Sequence, residues 1–445
     1  MKRQIGLSGA AALIVGNMIG VGIFTTVGFM AAHIGNPLWM IGLWFGGGLM
    51  TMVAAWCYGV LGAAYPEAGG DYVFLREGLG EWAAFVAGWV LVCVILPSSI
   101  AALSSALADG LSRVAGVSSW SMEALAVRLS PKWAAAGLIV GVHLVSAAHL
   151  RWTLGVQKLT TALLILVVAS LLFLGFGWGD GHWGYLAVGG SFPGFQALGV
   201  AAVGIIFSYS GFFQVVYLGG EVRDPTRIIP KSILLSVTIV TAVYTALVAL
   251  YLFSAPIELL AGRIDVGQLA AKRLLGAKGG LFIEAGILLA IAGSLNATVP
   301  AGPRIAYAMS ADRCFPKPFG VLWSPTGMPM LGLALQAALS LAYLLLGAFD
   351  EILSCTTIAM VLSSMGVGIS LLRLRRSIAR RRHSSEWRII LPATVFVVCY
   401  VATGFSIAYG YPEETALGLG IAAAAVPLYV LKKRLLKIPP AHSCG

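Results

Sequence analysis

The sequence predicts an all-α polytopic membrane protein with twelve membrane-spanning helices, and three observations support that fold class. Apolar residues make up 59% of the 445-residue chain and charged residues only 11%, which lies outside the range of soluble domains. Apolar runs of about 20 residues, long enough to cross a bilayer as a helix, recur along the whole chain. Two of these runs, five spans apart, are interrupted by glycine and polar residues.

Hydropathy and the intervening polar segments give the bounds of each predicted span. In chain order the spans cover residues 7–33, 38–64, 82–108, 133–149, 153–177, 195–221, 231–254, 279–308, 329–347, 351–373, 388–409 and 415–432. Lys2 and Arg3 precede the first run, as they do in a signal peptide. That run is too long and too rich in glycine for a cleaved segment, so we expect it to remain as the first helix.

The net charge of +11 is explained by membrane topology. Twenty-two of the 29 lysines and arginines fall in loops on the side that carries both predicted termini. Positive charge accumulates on the cytoplasmic side, so we expect both termini in the cytoplasm and the chain in the cytoplasmic membrane. This distribution indicates the lipid bilayer as a partner and argues against nucleic acid. The six cysteines show no paired spacing, so we predict no disulfide framework, metal site or cofactor.

The first span is broken near its middle, where Gly16, Gly20 and Gly22 fall within seven residues. Each glycine costs a helix interior about 1 kcal/mol relative to alanine. Backbone that leaves the helix inside a bilayer must be buried in protein or line a cavity. Its free amides suit a carboxylate and its free carbonyls an ammonium group, as in half of a transporter's substrate site. Gly16 and Gly20 also form a Gly-x-x-x-Gly pattern, for which close helix packing is the alternative explanation.

The sixth span contains a second break at residues 207–214. Five spans separate the two breaks, so the two halves enter the membrane with opposite orientations, a pattern typical of a midplane binding site. We therefore predict a ten-helix transport core at 1–374, built from a five-plus-five inverted repeat of about 7–178 and about 193–374. Residues 375–445 would add two transmembrane helices and a cytoplasmic tail.

Seven segments in the first 320 residues carry recognisable motifs: Gly20–Phe24, Tyr65–Tyr72, Gly88–Trp89, Pro97–Ala101, Tyr209–Pro230, Gly293–Asn296 and Arg304–Pro316. In these segments the chain resembles the amino-acid/polyamine/organocation transporters, in particular the L-type amino-acid transporters and their bacterial relatives. The first break matches the family's Gly-Ser/Val-Gly-Ile-Phe signature, and the loop after the second span matches Pro-x-x-Gly-Gly-x-Tyr. The remainder of the chain agrees in hydropathy alone.

The resemblance implies a secondary active amino-acid transporter that works by alternating access, and it implies a role for each site residue. The substrate carboxylate would be bound at Gly20, Val21, Gly22 and Ile23. The substrate ammonium would be bound by carbonyl groups of Met18, Ile19, Phe207 and Ser210. The side-chain pocket would include Asn17, Ser98, Tyr209, Phe212, Phe213, Asn296 and Thr356.

Two departures from related carriers affect the choice of substrate and coupling ion. Many relatives carry a lysine in the fifth span where this chain has Leu164, and some arginine exchangers carry a glutamate near Phe212 and Phe213. No predicted pocket residue carries a negative charge. We therefore expect exchange or uptake of neutral L-amino acids. The alternatives are a cationic amino-acid or polyamine antiporter and a proton-coupled symporter, or, from another class, an amino-acid-binding channel or receptor.

No enzyme motif is present: the chain lacks a phosphate-binding loop, a His-Glu-x-x-His and a Gly-x-Ser-x-Gly. We therefore do not expect an enzyme. Charged residues do cluster in two loops predicted to face the cytoplasm, Glu221, Asp224 and Arg227 in one and Glu67 and Asp71 in the other. Ion pairs between these loops would form an inner gate, and ordinary solvated charges are the alternative.

Overall fold

The structure is a computed structural model that describes residues 2–117, 131–187, 192–346, 349–381, 383, 385–410 and 412–435. The described residues are almost entirely helical, with isolated β-bridges and no extended strand. Nine helical segments are long and apolar enough to cross a membrane, and three shorter apolar helices accompany them in this part of the chain. The fold is therefore that of a polytopic helical membrane protein.

The first half of the chain begins with a helix in two pieces. Its helices are α1 (Leu7–Met18), α2 (Gly22–Ile34), α3 (Pro37–Ala64), α4 (Asp71–Leu79), α5 (Glu81–Val90), α6 (Leu96–Val117), α7 (Pro131–Ala148) and α8 (Leu150–Trp178). A π-helical turn, Leu91–Ile95, joins α5 to α6. The start of α3 is fixed by Pro37 in the first turn and by Asn36, whose side chain accepts hydrogen bonds from the amides of Leu38 and Trp39.

The second half begins with the other broken helix. Its helices are α9 (Phe195–Tyr209), α10 (Gln214–Tyr217), α11 (Pro225–Ser254), α12 (Ile257–Leu260), α13 (Val266–Thr298), α14 (Ala301–Ala311), α15 (Met330–Leu346), α16 (Phe349–Arg381), α17 (Trp387–Gly410) and α18 (Pro412–Leu435). The predicted span 195–221 therefore begins as the helix α9, whereas the part after its break is the single turn of α10 followed by a 3-10 turn.

The site is positioned by helices that pack directly around α1. Helices α8, α11 and α13 each contact it, while α11 also packs along α3. The segment before α1 pairs with the turn after the second break, because the amides of Gln4 and Ile5 donate to the Glu221 carbonyl at 2.7 and 2.9 Å. The N-terminus of the chain is therefore fastened to the turn that follows the second break. We call this end of the molecule the N-terminal side.

Candidate functional site

A cavity of about 360 Å³ lies where the two helix breaks meet. Its walls come from both breaks, the π-helical turn, the start of α6, the first residue of α4, and α13 and α16. The lining residues are Asn17, Met18, Gly20, Val21, Gly22, Asp71, Leu91, Ile95, Leu96, Ser99, Ala102, Leu103, Ala106, Phe207, Ser208, Ser210, Gly211, Phe213, Gln214, Tyr217, Ser294, Thr298, Met360, Ser363 and Ser364. The structure therefore brings the two predicted breaks to one site.

The first break leaves amide groups free at the start of α2. Helix α1 ends at Met18 and α2 begins at Gly22. The Gly20 amide donates to the Met18 carbonyl (2.8 Å), and the Phe24 amide donates to the Val21 carbonyl (3.0 Å). Within the described residues, the amides of Val21, Gly22 and Ile23 donate to no backbone carbonyl. Free amides at a helix N-terminus, where the helix dipole is positive, favour an anion such as a carboxylate.

The second break depends on a glycine that touches the first. Gly211 has a φ of +93°, in the left-handed region that side chains other than glycine rarely adopt. A Cβ atom at this position would lie 2.7 Å from Nδ2 of Asn17. Only glycine satisfies both the backbone angle and the close approach, so the two breaks can pack against one another.

Some of the carbonyl groups predicted to bind the substrate ammonium already accept hydrogen bonds within the protein. The Met18 carbonyl accepts hydrogen bonds from the Gly20 amide and the Tyr244 hydroxyl. The Phe207 carbonyl accepts from the amide and the hydroxyl of Ser210, at 3.2 and 2.7 Å. Ile19 is buried and does not line the cavity. Ser210 lines it, and its carbonyl accepts no hydrogen bond within the described residues. Ser210 is thus the member of the set best placed for an ammonium group.

Asn17 connects three elements at the cavity wall. Its Nδ2 donates to Oε1 of Gln214 (3.3 Å), which follows the second break. Its Oδ1 accepts from the hydroxyls of Ser294 (3.2 Å) and Thr298 (3.3 Å) on α13. Gln214 in turn donates to the Ala297 carbonyl at 2.6 Å. The side chain of Asn17 therefore fixes both breaks relative to α13.

The other predicted pocket residues lie in several places. Phe213 lines the cavity, as does Phe207, whereas Tyr209 and Phe212 line a second cavity of about 480 Å³ among α3, α9 and α17. The residues of the prediction that do not line the first cavity are Ile19, Ile23, Ser98, Tyr209, Phe212 and Asn296. The side chain of Thr356 lies outside the described residues.

Two of these side chains are engaged elsewhere. The Ser98 hydroxyl donates to the Val94 carbonyl of its own helix at 2.8 Å. Asn296 donates to Oε1 of Gln157 (2.7 Å) and to the Thr153 carbonyl (3.0 Å), so it links α13 to α8. Both side chains are therefore accounted for by contacts within the protein.

The π-helical turn explains why Ser99 lines the cavity and Ser98 does not. Pro97 has no amide hydrogen to donate to the Cys93 carbonyl four residues earlier. That carbonyl instead accepts a hydrogen bond from the Tyr343 hydroxyl at 2.8 Å. A wider turn also rotates every later residue about the helix axis, and such turns are frequent at functional sites. In the sequence, Pro97 is the residue that indicates this change in which helix face the later residues occupy.

Asp71 is a cavity residue that the pocket prediction missed. The consecutive glycines Gly69 and Gly70, with φ of +121° and +52°, reverse the chain just before it. The Asp71 side chain consequently points into the protein, is only 3% exposed and lines the cavity. Its Oδ2 accepts from the Ser363 hydroxyl at 3.2 Å. Asp71 was not among the predicted pocket residues, and the cavity has a carboxylate in its lining because the turn folds this loop residue inward.

The predicted inner gate has different partners from those expected. Glu221 pairs with Arg304 through two contacts of 2.6 and 3.0 Å, and both side chains are buried. Arg76 pairs with Asp312 at 2.6 Å and with Glu67 at 3.0 Å. Together these pairs join α4 and the turn after the second break to α14 on the N-terminal side. Among the described residues, no group of three or more His, Cys, Asp and Glu side chains could hold a metal ion.

Sequence comparison finds similar proteins among known amino-acid transporters. The chain is 26% identical over 445 residues to the serine/threonine exchanger SteT of Bacillus subtilis strain 168, covering 98% of each chain. It is 28% identical over 328 residues to the Homo sapiens large neutral amino acids transporter small subunit 2, covering 71% of this chain and 59% of that protein's length. It is 26% identical over 438 residues to the Homo sapiens cystine/glutamate transporter, covering 97% and 85%.

These similarities confirm the resemblance inferred from the sequence motifs. A family model described as Amino acid permease matches residues 5–431, which is nearly the whole chain. The chain therefore belongs to the amino-acid permease family.

Proposed function

We propose that this protein is a secondary active transporter that exchanges or takes up neutral L-amino acids by alternating access. The observation that carries the proposal is the meeting of two helix breaks at one cavity. One break presents the free amides of α2, and the other presents the Ser210 carbonyl. This pairing of donors and an acceptor suits the carboxylate and the ammonium of a single amino acid. The names of the relatives, a serine/threonine exchanger among them, support exchange.

The side chain of the substrate would lie against the wall formed by the π-helical turn and α6. Leu91, Ile95 and Leu103 make this wall mostly apolar, and Phe207 and Phe213 face it from the second break. Apolar substrate groups gain about 0.8 kcal/mol for each buried methylene. The volume of about 360 Å³ is within the range of small-molecule sites. A cationic amino acid or polyamine is the alternative substrate class.

The proposed topology has twelve spans, a five-plus-five inverted repeat with two added helices, and both termini in the cytoplasm. The N-terminal side then faces the cytoplasm in the cytoplasmic membrane, and the buried Arg304–Glu221 pair closes the cavity there. Phe207, by contrast, lines the cavity and keeps 47% of its surface exposed. This difference in accessibility supports an outward-facing state, one of the two that alternating access requires.

Transport by purified protein in proteoliposomes tests the proposal. Labelled serine or leucine should enter saturably, and faster when unlabelled amino acid is loaded inside, with or without sodium and proton gradients. Protein-free liposomes provide the control. Uptake that requires a gradient and shows no trans-stimulation would replace exchange by ion-coupled symport. Non-saturable flux would indicate a channel, and binding without uptake would indicate a receptor.

A further inference from the structure

The Asp71 carboxylate has an unused hydrogen-bond acceptor at the cavity wall. Oδ2 accepts from Ser363, whereas Oδ1 is buried and accepts no hydrogen bond from the described residues. The hydroxyls of Tyr58 and Tyr217 lie near the carboxylate, but neither reaches Oδ1 with hydrogen-bond geometry. A buried acceptor without a donor costs about 1–3 kcal/mol, and more when it carries charge. One acceptor atom of this buried carboxylate is therefore unpaired in the ligand-free protein.

No cation of the protein compensates this carboxylate in the described part of the chain. Arg76, five residues along α4, pairs with Glu67, Glu77 and Asp312. Arg304 pairs with Glu221. The titratable groups that act on Asp71 from the helices packed around it are three tyrosines, which are neutral at physiological pH: Tyr58 on α3, Tyr217 on α10 and Tyr400 on α17. Ser363 and Ser364 face the cavity from α16.

We propose that Asp71 determines substrate specificity by accepting a hydrogen bond from the end of the substrate side chain. This inference rests on the proposed function, because it requires an amino acid held at the two breaks. The favoured class is a neutral amino acid whose side chain carries a hydrogen-bond donor, either a hydroxyl or an amide. Apolar side chains of the same shape leave Oδ1 unpaired, and acidic side chains add a second negative charge.

The preference should be large for pairs of substrates that differ by a single donor. A binding site built around a buried polar group rejects an analogue that lacks the partner more strongly than it rejects a change of one methylene. Threonine and valine have nearly the same shape, since a hydroxyl replaces a methyl group. A hydrogen bond to a charged acceptor corresponds to a ratio of dissociation constants of about 10 or more in favour of threonine.

Calorimetric titration of the purified protein at pH 7.5 measures this ratio directly. For Asp71→Leu, which keeps the approximate shape and removes the acceptor, threonine and valine should bind within about twofold of each other. Asp71→Asn should also lower the ratio of dissociation constants. This variant replaces Asp71→Leu in the test if the leucine variant does not fold. Asp71→Glu, which retains the charge, should keep a preference for threonine. Glu77→Gln removes a carboxylate that lies on the same helix outside the cavity, and should leave the wild-type ratio unchanged.

Two results would overturn the inference. One is equal binding of threonine and valine by the wild type, and the other is an unchanged ratio in the folded Asp71→Leu or Asp71→Asn protein. Either result leaves amino-acid binding intact and so spares the proposed function. Failure of the wild type to bind any of the twenty amino acids would contradict the proposed function itself and this inference with it.

Discussion

The glycines of the first break have different neighbours, and this decides which of them reports on substrate binding. A Cβ atom at Gly16 would lie 2.0 Å from Nε2 of Gln157, and one at Gly22 would lie 2.6 Å from Oγ of Ser208. Both glycines are therefore places of close packing. At Gly20 the nearest atom would be Oγ of Ser294, at 3.7 Å, and the residue lines the cavity. Gly20 is consequently the residue to substitute.

Gly20→Leu should weaken amino-acid binding by about tenfold or more while the protein stays folded, because the side chain fills the cavity rather than a packed contact. Calorimetric titration and thermal unfolding of the same preparation measure the two quantities. Gly155→Leu is the matched control, since Gly155 lies on an exposed face of α8 with no atom within 4 Å of an added Cβ. Full affinity in Gly20→Leu would contradict the placement of the site.

Asp71 should make the stability of the ligand-free protein depend on pH. Burial, the dominant cause, raises the pKa of the Asp71 carboxyl to about 6, and the hydrogen bond from the Ser363 hydroxyl opposes the shift. The residue lies in α4, outside the candidate spans. Because the folded-state pKa exceeds the unfolded one, the folded protein binds more protons between about pH 4 and pH 6. This group therefore lowers stability as pH rises through that window.

The Asp71→Asn substitution tests that sign. It should stabilise the ligand-free protein at pH 8, by an amount of order 1–3 kcal/mol, because the variant avoids a buried charge. At pH 5 most of the gain should vanish, since wild-type Asp71 is then largely protonated. Thermal unfolding at both pH values measures the difference. An equal gain at the two values would show that ionisation of Asp71 is not responsible.

At this scale, some residues of the predicted substrate site line the cavity and others do not. Gly20, Val21, Gly22, Phe207 and Ser210 all line the cavity, because a break in an apolar helix is visible in the sequence itself. Asp71 was not predicted to line the pocket, since a loop carboxylate enters the protein only through the backbone reversal before it. Likewise, one of the two hydrogen bonds that the Met18 carbonyl accepts comes from Tyr244, more than two hundred residues away.

The π-helical turn is the element that shapes the substrate-facing wall. Pro97, which follows the turn, has no amide hydrogen to donate to the Cys93 carbonyl. Tyr343 on α15 donates to that carbonyl instead. Hydropathy predicted span 82–108 as one helix, and the helical segment is indeed continuous there. Hydropathy carries no information on the number of residues per turn, so it could not place Ser99 rather than Ser98 at the cavity.

Pro97→Ala should restore the missing amide and favour a regular α-helical turn. The residues after it would rotate, so amino-acid affinity should fall by about threefold to tenfold while thermal stability is kept or rises. Tyr343→Phe provides a comparison, because it removes the compensating donor and should cost about 1 kcal/mol of stability. Unchanged affinity in a folded Pro97→Ala protein would show that the turn does not position this wall.

At the scale of the whole molecule, the pair between Arg304 and Glu221 fastens α14 to the turn after the second break. The Arg304 side chain is fully buried and that of Glu221 is 5% exposed. Removing one partner of a buried pair leaves a charge without compensation, which costs about 3–5 kcal/mol. Replacing both by neutral groups avoids most of that cost. The contribution of the pair is therefore measured by comparing single and double substitutions.

Arg304→Met should lower the thermal stability of the protein strongly, and Arg304→Met combined with Glu221→Gln should recover a substantial part of the loss. Thermal unfolding of the wild type, the two single variants and the double variant gives the coupling energy. Arg227→Met is the control, because Arg227 forms an exposed pair with Asp224 at 3.8 Å. Additive losses in the double variant would contradict the role of the pair.

The central claim is that one amino acid bridges the two helix breaks, and a structure of the protein with bound substrate tests it most directly. The density should place the carboxylate oxygens about 2.7–3.2 Å from the amides at the start of α2, with the ammonium near the Ser210 carbonyl. Substrate density in the second cavity, or anywhere that leaves the amides of Val21 and Gly22 without a partner, would contradict it.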